Sequence, residues 1–259
     1  MAKKSKTLKA IIENTKLSLQ EVERAFKHVN DSDENEDYAN TLQKLFSFAL
    51  ENDISLFTAN SVDVNKEPYF MVVDYLKNWR SNYIKNRENL AIESPLKNYG
   101  EKDEALTNRV LAVTQVDENV LKKYIEGHFL FMSAENKNGV ILEEYLAEIL
   151  EPYGWIWCAG STYRAVDFCY LGEKPILLQV KNKYNTENSS SSAIRTGTII
   201  QKWNRLNRPK AATGKDRPLP NWERLHKIVN ANDDLAKHLT EEKYLEFIRE
   251  NSSTELDTL

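Results

Sequence analysis

Residues 155–181 read WIWCAGSTYRAVDFCYLGEKPILLQVK, a stretch with three short runs rich in aromatic and β-branched residues. The runs are Trp155 to Ala159, Ala165 to Leu171 and Pro175 to Lys181, and glycine-containing turns separate them. Such runs predict three strands. Just before them, Val140 to Leu150 has helical spacing and is followed by Pro152 and Gly154, which end helices. A helix followed by three strands predicts an α/β core.

The last two runs predict a hairpin with a loop over residues 172–174, so that Leu171 pairs with Pro175. The same register places Asp167 opposite Gln179. Because strand side chains alternate between faces, Gln179 and Lys181 share one face, which Asp167 joins. We also expect Glu143, on the preceding helix, to point toward these side chains. Its neighbour Glu144 is expected to be an exposed helix residue.

These residues form a sensible site for phosphodiester hydrolysis. Oxygen ligands suit Mg²⁺, so Asp167, Gln179 and Glu143 are the expected metal ligands. Lys181 would orient the attacking water and stabilise the developing negative charge. Gln179 brings an oxygen without a charge, and Glu143 is the leading candidate to supply that charge. An acid followed by [DEQ]-x-K is a pattern that is common by chance. The alternative interpretation is that Asp167 is a strand-edge acid and Lys181 a surface lysine. The preceding helix, the order of the strands and a basic segment downstream favour a catalytic site.

The basic segment runs from Lys181 to Lys227. It holds 11 Lys or Arg and three acidic residues, so its net charge is +8. Because the whole chain has a net charge of −4, the remaining residues together carry −12. A concentrated basic segment can bind nucleic acid even in an acidic protein, although a solvated face is the alternative. The candidate DNA contacts in it are Asn182, Asn188, Ser189, Ser190, Ser191, Ser192, Arg195, Lys202 and Arg205.

Individual roles follow from side-chain chemistry. Arg195 would suit a bidentate contact with guanine. Lys202, Arg205 and Arg208 fall near one helical face and would suit phosphates, whereas Trp203 is expected in the core. The serine run could equally be a linker.

The first half of the chain is predicted to be mainly helical, with apolar residues recurring at three- and four-residue spacing. Ser18 and Glu21 predict a capping box, and residues 88–119 predict a connection with one short helix. The predicted helices are Leu8 to Lys16, Leu19 to Val29, Tyr38 to Glu51, Tyr69 to Arg87 and Glu118 to about Ala134. We divide the chain into a helical region, 1–137, that dimerises or clamps DNA, and a nuclease core, 138–259, with a DNA-recognition segment at 182–227.

Composition excludes several classes of protein. No apolar run approaches the roughly 20 residues of a membrane span, and the start MAKKSK lacks the apolar stretch of a secretory signal. We therefore expect a cytoplasmic protein. Cys158 and Cys169 are expected to be buried thiols, and the four scattered histidines give a zinc site little support.

Two resemblances follow from these motifs. The helix with Glu143, then GWIWC, VDFCY and LLQVK, resembles the PD-(D/E)xK nuclease core, with Val166 in place of Pro and Gln179 in place of an acid. This resemblance implies a mixed sheet flanked by helices. Residues 179–205 (QVKNKYNTENSSSSAIRTGTIIQKWNR), followed by TGK at 213–215, NWE at 221–223 and LTEEKYLEF at 239–247, resemble the SinI and AvaII family of type II restriction endonucleases, over roughly Gly139 to Glu250.

The second resemblance implies a homodimer that uses Mg²⁺ to cut double-stranded DNA at a short palindrome of the GGWCC type, with a cognate DNA methyltransferase protecting the host. Two alternatives stay open at this point. One is a structure-specific nuclease of resolvase or repair type on the same core. The other is a non-catalytic DNA-binding protein in which Gln179 marks a decayed site.

Overall fold

A computed structural model describes residues 3–31, 36–184, 197–208 and 218–258 of the chain. Its helices are α1 (Leu8–Thr15), α2 (Leu19–Asn30), α3 (Glu36–Asn52), α4 (Pro68–Glu88), α5 (Glu104–Thr114), α6 (Glu118–Leu150), α7 (Trp222–Val229), α8 (Asp233–His238) and α9 (Glu241–Asn251). Its strands are β1 (Lys3–Lys6), β2 (Asn60–Asp63), β3 (Leu96–Lys97), β4 (Trp155–Trp157), β5 (Phe168–Tyr170), β6 (Ile176–Lys183), β7 (Ile200–Leu206) and β8 (Leu256–Asp257). The α/β class predicted from the sequence is confirmed.

The helices of the first half lie where the apolar spacing predicts them, with α1 to α4 ending within two residues of the expected positions. The capping box of α2 is also present: the Glu21 backbone N–H donates to Ser18 Oγ at 3.3 Å, and the Ser18 N–H donates to Glu21 Oε2 at 2.9 Å. Residues 88–119 contain one short helix, α5, as predicted. Local periodicity and capping were sufficient here because neither depends on distant contacts.

Helix α6 corrects the expectation of two separate helices, Glu118 to Ala134 and Val140 to Leu150. It begins after the N-cap residue Asp117 and continues through Gly139 to Leu150. Gly154, at φ +85°, follows shortly after the end of the helix. A single glycine costs a helix about 1 kcal/mol, which the packing of this helix offsets. At 1.5 Å per residue, α6 is roughly 50 Å long. The proposed boundary between residues 137 and 138 therefore falls inside a helix.

The core is continuous between the two halves of the chain. Leu42 and Trp79 from the first half belong to the same buried cluster as Leu146 and Phe168 from the second. The division into a helical region and a nuclease core stays a prediction. Within the described residues, no helix is both long and apolar enough to cross a membrane.

A four-stranded mixed sheet in the order β4-β5-β6-β7 forms the centre of the second half. Strands β4, β5 and β6 pair antiparallel, and the β5–β6 register, with Phe168 opposite Leu178 and Tyr170 opposite Ile176, is the one predicted for the hairpin. Strand β7 pairs parallel with β6. Lys202 and Arg205 therefore lie on a strand, and the prediction that they share a helical face is wrong. Backbone pairing with β6 outweighs a weak local pattern. Trp203, on β7, is fully buried, as predicted.

The loop between β4 and β5 is packed against the first half of the chain. The Trp79 indole N–H on α4 donates to the Thr162 carbonyl at 2.9 Å, and the Tyr163 hydroxyl donates to the Leu45 carbonyl on α3. Gly160 has φ +67°, and a Cβ there would lie 2.5 Å from the Asn82 carbonyl oxygen on α4, so only glycine fits. Helices α3 and α4 therefore set the path of the chain that leads to Asp167.

Candidate active site

Asp167 is fixed by hydrogen bonds to both neighbouring strands. Its backbone N–H donates to the Leu178 carbonyl and its carbonyl accepts from the Cys158 N–H, each at 2.8 Å. Its side-chain Oδ2 accepts the Val180 N–H at 2.6 Å. The carboxylate is therefore held against β6 at the point where the sheet meets helix α6.

Gln179 and Lys181 lie on β6 as the register predicts. Gln179 is 4% exposed and comes opposite Asp167 when the β5–β6 pairing is continued by one residue, and Lys181, two residues further on, is exposed. Alternation along the strand gives both side chains the same face.

Glu143 reaches the sheet from α6. Its Oε2 accepts the indole N–H of Trp157, on β4, at 3.1 Å. The carboxylate interacts electrostatically with both Asp167 and Lys181, so the helix and the two strands bring these three charged groups together. The sequence-based prediction that Glu143 points toward Asp167 is consistent with this geometry.

The electrostatics of the two carboxylates are unfavourable without a cation. Burial, and then the Asp167 carboxylate, raise the pKa of Glu143 to about 8, against the lowering effects of the Trp157 N–H and Lys181. Burial likewise raises the pKa of Asp167, while Lys181 and the Val180 N–H act in the opposite direction. Asp167 thus disfavours the ionised form of Glu143, and two half-buried acids placed in this way are suited to sharing a positive ion.

The donor set fits Mg²⁺. It offers two carboxylates and the amide oxygen of Gln179, and Mg²⁺ in phosphate-processing sites is commonly held by one or two carboxylates together with substrate oxygens. In the part of the chain that the structure describes, no cluster of three or more His, Cys, Asp or Glu side chains could hold a metal ion. An oxygen from Gln179 or from the DNA phosphate would therefore have to complete the set.

Glu144 corrects the sequence-based expectation of an exposed residue. It is 5% exposed, and its carboxylate accepts the backbone N–H groups of Ala91 at 2.5 Å and Ile92 at 3.0 Å. Burial raises its pKa against those two hydrogen bonds. The segment after α4 folds over α6 and covers this face of the helix, a contact that no local pattern reveals. Glu144 is thus a structural anchor beside the site.

Most of the candidate DNA contacts lie outside the described residues: Asn188, Ser189, Ser190, Ser191, Ser192 and Arg195. Asn182 and Arg205 are described, and they contact each other: Arg205 Nε donates to Asn182 Oδ1 at 2.8 Å. Arg205 is 7% exposed, forms an ion pair with Glu241 and lies 5.0 Å from the centre of the Tyr244 ring. This arrangement favours a structural role for Arg205 in place of the phosphate contact expected from the sequence. Lys202 is half-buried on β7.

The two cysteines are buried free thiols, as predicted, with their sulfur atoms 3.9 Å apart. Burial raises the pKa of Cys158 well above its usual value, which disfavours the reactive thiolate. Cys158 directly follows β4 and Cys169 lies on β5, and both side chains belong to the buried core.

Sequence reasoning missed three residues behind Glu143: Arg87, Glu151 and Trp157. Arg87 and Glu151 form a two-pronged ion pair, with Nη1 to Oε1 at 2.6 Å and Nη2 to Oε2 at 3.0 Å. The three residues lie at the ends of different elements, so no spacing in the sequence links them.

Comparison with known proteins gives a consistent picture. The chain is 46% identical over 132 residues to the type II restriction enzyme Eco47I of Escherichia coli, in an alignment that covers 50% of this chain and 52% of that protein. It is 48% identical over 121 residues to the type II restriction enzyme SinI of Salmonella infantis, in an alignment that covers 46% of this chain and 50% of that protein. These alignments thus span about half the length of each relative. A family model described as SinI restriction endonuclease matches residues 92–253, which include Glu143, Asp167, Gln179 and Lys181, and the chain therefore belongs to the SinI restriction endonuclease family.

Proposed function

We propose that the protein is a type II restriction endonuclease that uses Mg²⁺ to hydrolyse both strands of DNA at a short palindromic site, of the GGWCC type. The observation that carries the proposal is the pair of half-buried carboxylates, Glu143 and Asp167, which interact electrostatically with the ammonium group of Lys181, in a chain of this family. Membership in the SinI restriction endonuclease family supports hydrolysis of DNA as the reaction, and the candidate site supplies side chains that suit this reaction.

Each site residue has a role in this proposal. Asp167, Glu143 and the Gln179 oxygen would hold Mg²⁺, which supplies positive charge to the scissile phosphate and makes water more acidic. Asp167 is suited to this because its hydrogen bond to the Val180 N–H fixes its orientation. Lys181 donates hydrogen bonds to the attacking water and to a non-bridging phosphate oxygen, which stabilises the negative charge that develops during attack.

The proposed partners follow from cutting a palindrome. The substrate is double-stranded DNA, and two copies of the chain, each with one site, would cut the two strands as a homodimer. Arg195 and the polar residues around it would read bases and contact phosphates from the segment 182–227. A cognate methyltransferase would protect the host DNA in the cytoplasm, as a functional and not a physical partner.

Digestion of a plasmid of known sequence tests this proposal. With Mg²⁺, the wild-type protein should give discrete fragments whose ends map to one short sequence, and the D167N variant should give none. Plasmid methylated at GGWCC sites is the matched substrate control and should be resistant. Cleavage of branched DNA alone would indicate a structure-specific nuclease, and DNA binding without any cleavage would indicate a decayed site.

A further inference from the structure

A chain of polar contacts runs from the helical first half of the protein to Glu143. It begins at Arg87, in the last turn of α4, whose guanidinium group binds both carboxylate oxygens of Glu151, at 2.6 and 3.0 Å. Both side chains are largely buried, with 22% and 30% exposed. A two-pronged pair of this kind holds both groups in one orientation.

Trp157 is the next member of the chain. Its indole is 2% exposed, and the Arg87 guanidinium carbon lies 5.4 Å from the centre of its ring. Its backbone N–H donates to Glu151 Oε1 at 3.4 Å, so the ion pair contacts both the ring and the backbone of this residue. The indole N–H then donates to Glu143 Oε2 at 3.1 Å. A buried ring under a guanidinium group has few other orientations, which fixes the direction of its N–H.

We propose that Trp157 is a positioning residue that orients the Glu143 carboxylate for the divalent cation, and that Arg87 with Glu151 holds Trp157 in place. This inference rests on the proposed function, because it presupposes a cation at Glu143 and Asp167. Hydrogen-bond donors behind a ligand fix its orientation, and their loss typically lowers metal affinity or activity about 10- to 100-fold. The first half of the chain thereby gains a role in the site, since Arg87 lies in α4.

The variant W157F tests the proposal because it keeps an aromatic ring under Arg87 and removes the indole N–H. The matched control is W155F, which removes an indole N–H two residues earlier on the same strand, where the ring lies 5.7 Å from that of Tyr170. For W157F we expect the Mg²⁺ concentration that gives half-maximal cleavage to rise about tenfold. We also expect a smaller rise in melting temperature when Mg²⁺ is added without DNA. W155F should match the wild type in both measurements.

Two comparisons separate the possible outcomes. If W157F and W155F respond identically to Mg²⁺, Trp157 does not position Glu143 and the inference is overturned. If Mg²⁺ changes neither the stability nor the activity of the wild type, the proposed function itself fails. Affinity for DNA in EDTA, which a general loss of structure would lower, should be the same for both variants.

A measurement on the wild type covers the case in which W157F does not fold. With ¹⁵N-labelled tryptophan, each of the five indole N–H groups gives its own NMR signal, which substitutions at the other four tryptophans help to assign. On addition of Mg²⁺ we expect the Trp157 signal to move and the Trp155 signal to stay. A Trp157 signal that does not move, in a sample that Mg²⁺ stabilises, would overturn the inference.

Discussion

Replacing Lys181 with methionine should slow DNA cleavage without weakening DNA binding. The ammonium group of Lys181 opposes the rise in the pKa of both Glu143 and Asp167, and in the proposed mechanism it stabilises the negative charge that develops during attack. Methionine keeps most of the aliphatic length of the side chain and removes the charge. Loss of one donor to such developing charge typically slows a reaction about 10²- to 10³-fold, which corresponds to roughly 2.7–4 kcal/mol.

The assay is single-turnover cleavage of a short duplex that contains the mapped site, with enzyme in excess and Mg²⁺ saturating. Affinity for the same duplex, measured by fluorescence anisotropy in EDTA, should change little, because Lys181 is one of 11 basic residues in its segment. Lys174→Met is the matched control: Lys174 is exposed in the hairpin loop, roughly 20 Å along the strand direction from Lys181. This control should cleave at a rate within about twofold of the wild type. Equal rates for the two variants would refute the role given to Lys181.

Two further predictions concern the metal and the DNA. Gln179→Glu adds a charge to the donor set, so the Mg²⁺ concentration for half-maximal cleavage should fall or stay level; loss of DNA binding would instead mean that Gln179 has a structural role or contacts DNA. Arg195→Ala should cost roughly 1–3 kcal/mol in binding to the cognate duplex and little on random DNA, measured by anisotropy at fixed salt. Equal losses on both duplexes would reduce Arg195 to a phosphate contact.

The parts of the fold that the sequence predicted are those that depend on neighbouring residues. Helical periodicity placed α1 to α4, and the loop at 172–174 fixed the hairpin register, because a short loop allows few pairings and alternation excludes a shift by one residue. That register brings Asp167 opposite Gln179, which is why the sequence alone points to two members of the candidate site.

The features that sequence reasoning missed depend on contacts between distant residues. Strand β7 forms because its backbone pairs with the edge of β6. Glu144 is buried because Ala91 and Ile92 fold over it and donate their backbone N–H groups to its carboxylate. Arg205 looked like a phosphate ligand, but its guanidinium group pairs with Glu241, 36 residues further along the chain. No periodicity encodes such partners, since each is chosen by the packing of separate elements.

Iron-mediated cleavage of the polypeptide tests most directly whether Glu143 and Asp167 hold the metal. Fe²⁺ in place of Mg²⁺, with ascorbate and peroxide, generates radicals that cut the chain next to the bound ion. If both residues hold the metal, we expect cuts near residues 143 and 167, which excess Mg²⁺ suppresses and which the variants E143Q and D167N lack. Cuts confined to other parts of the chain, or unchanged in both variants, would contradict it.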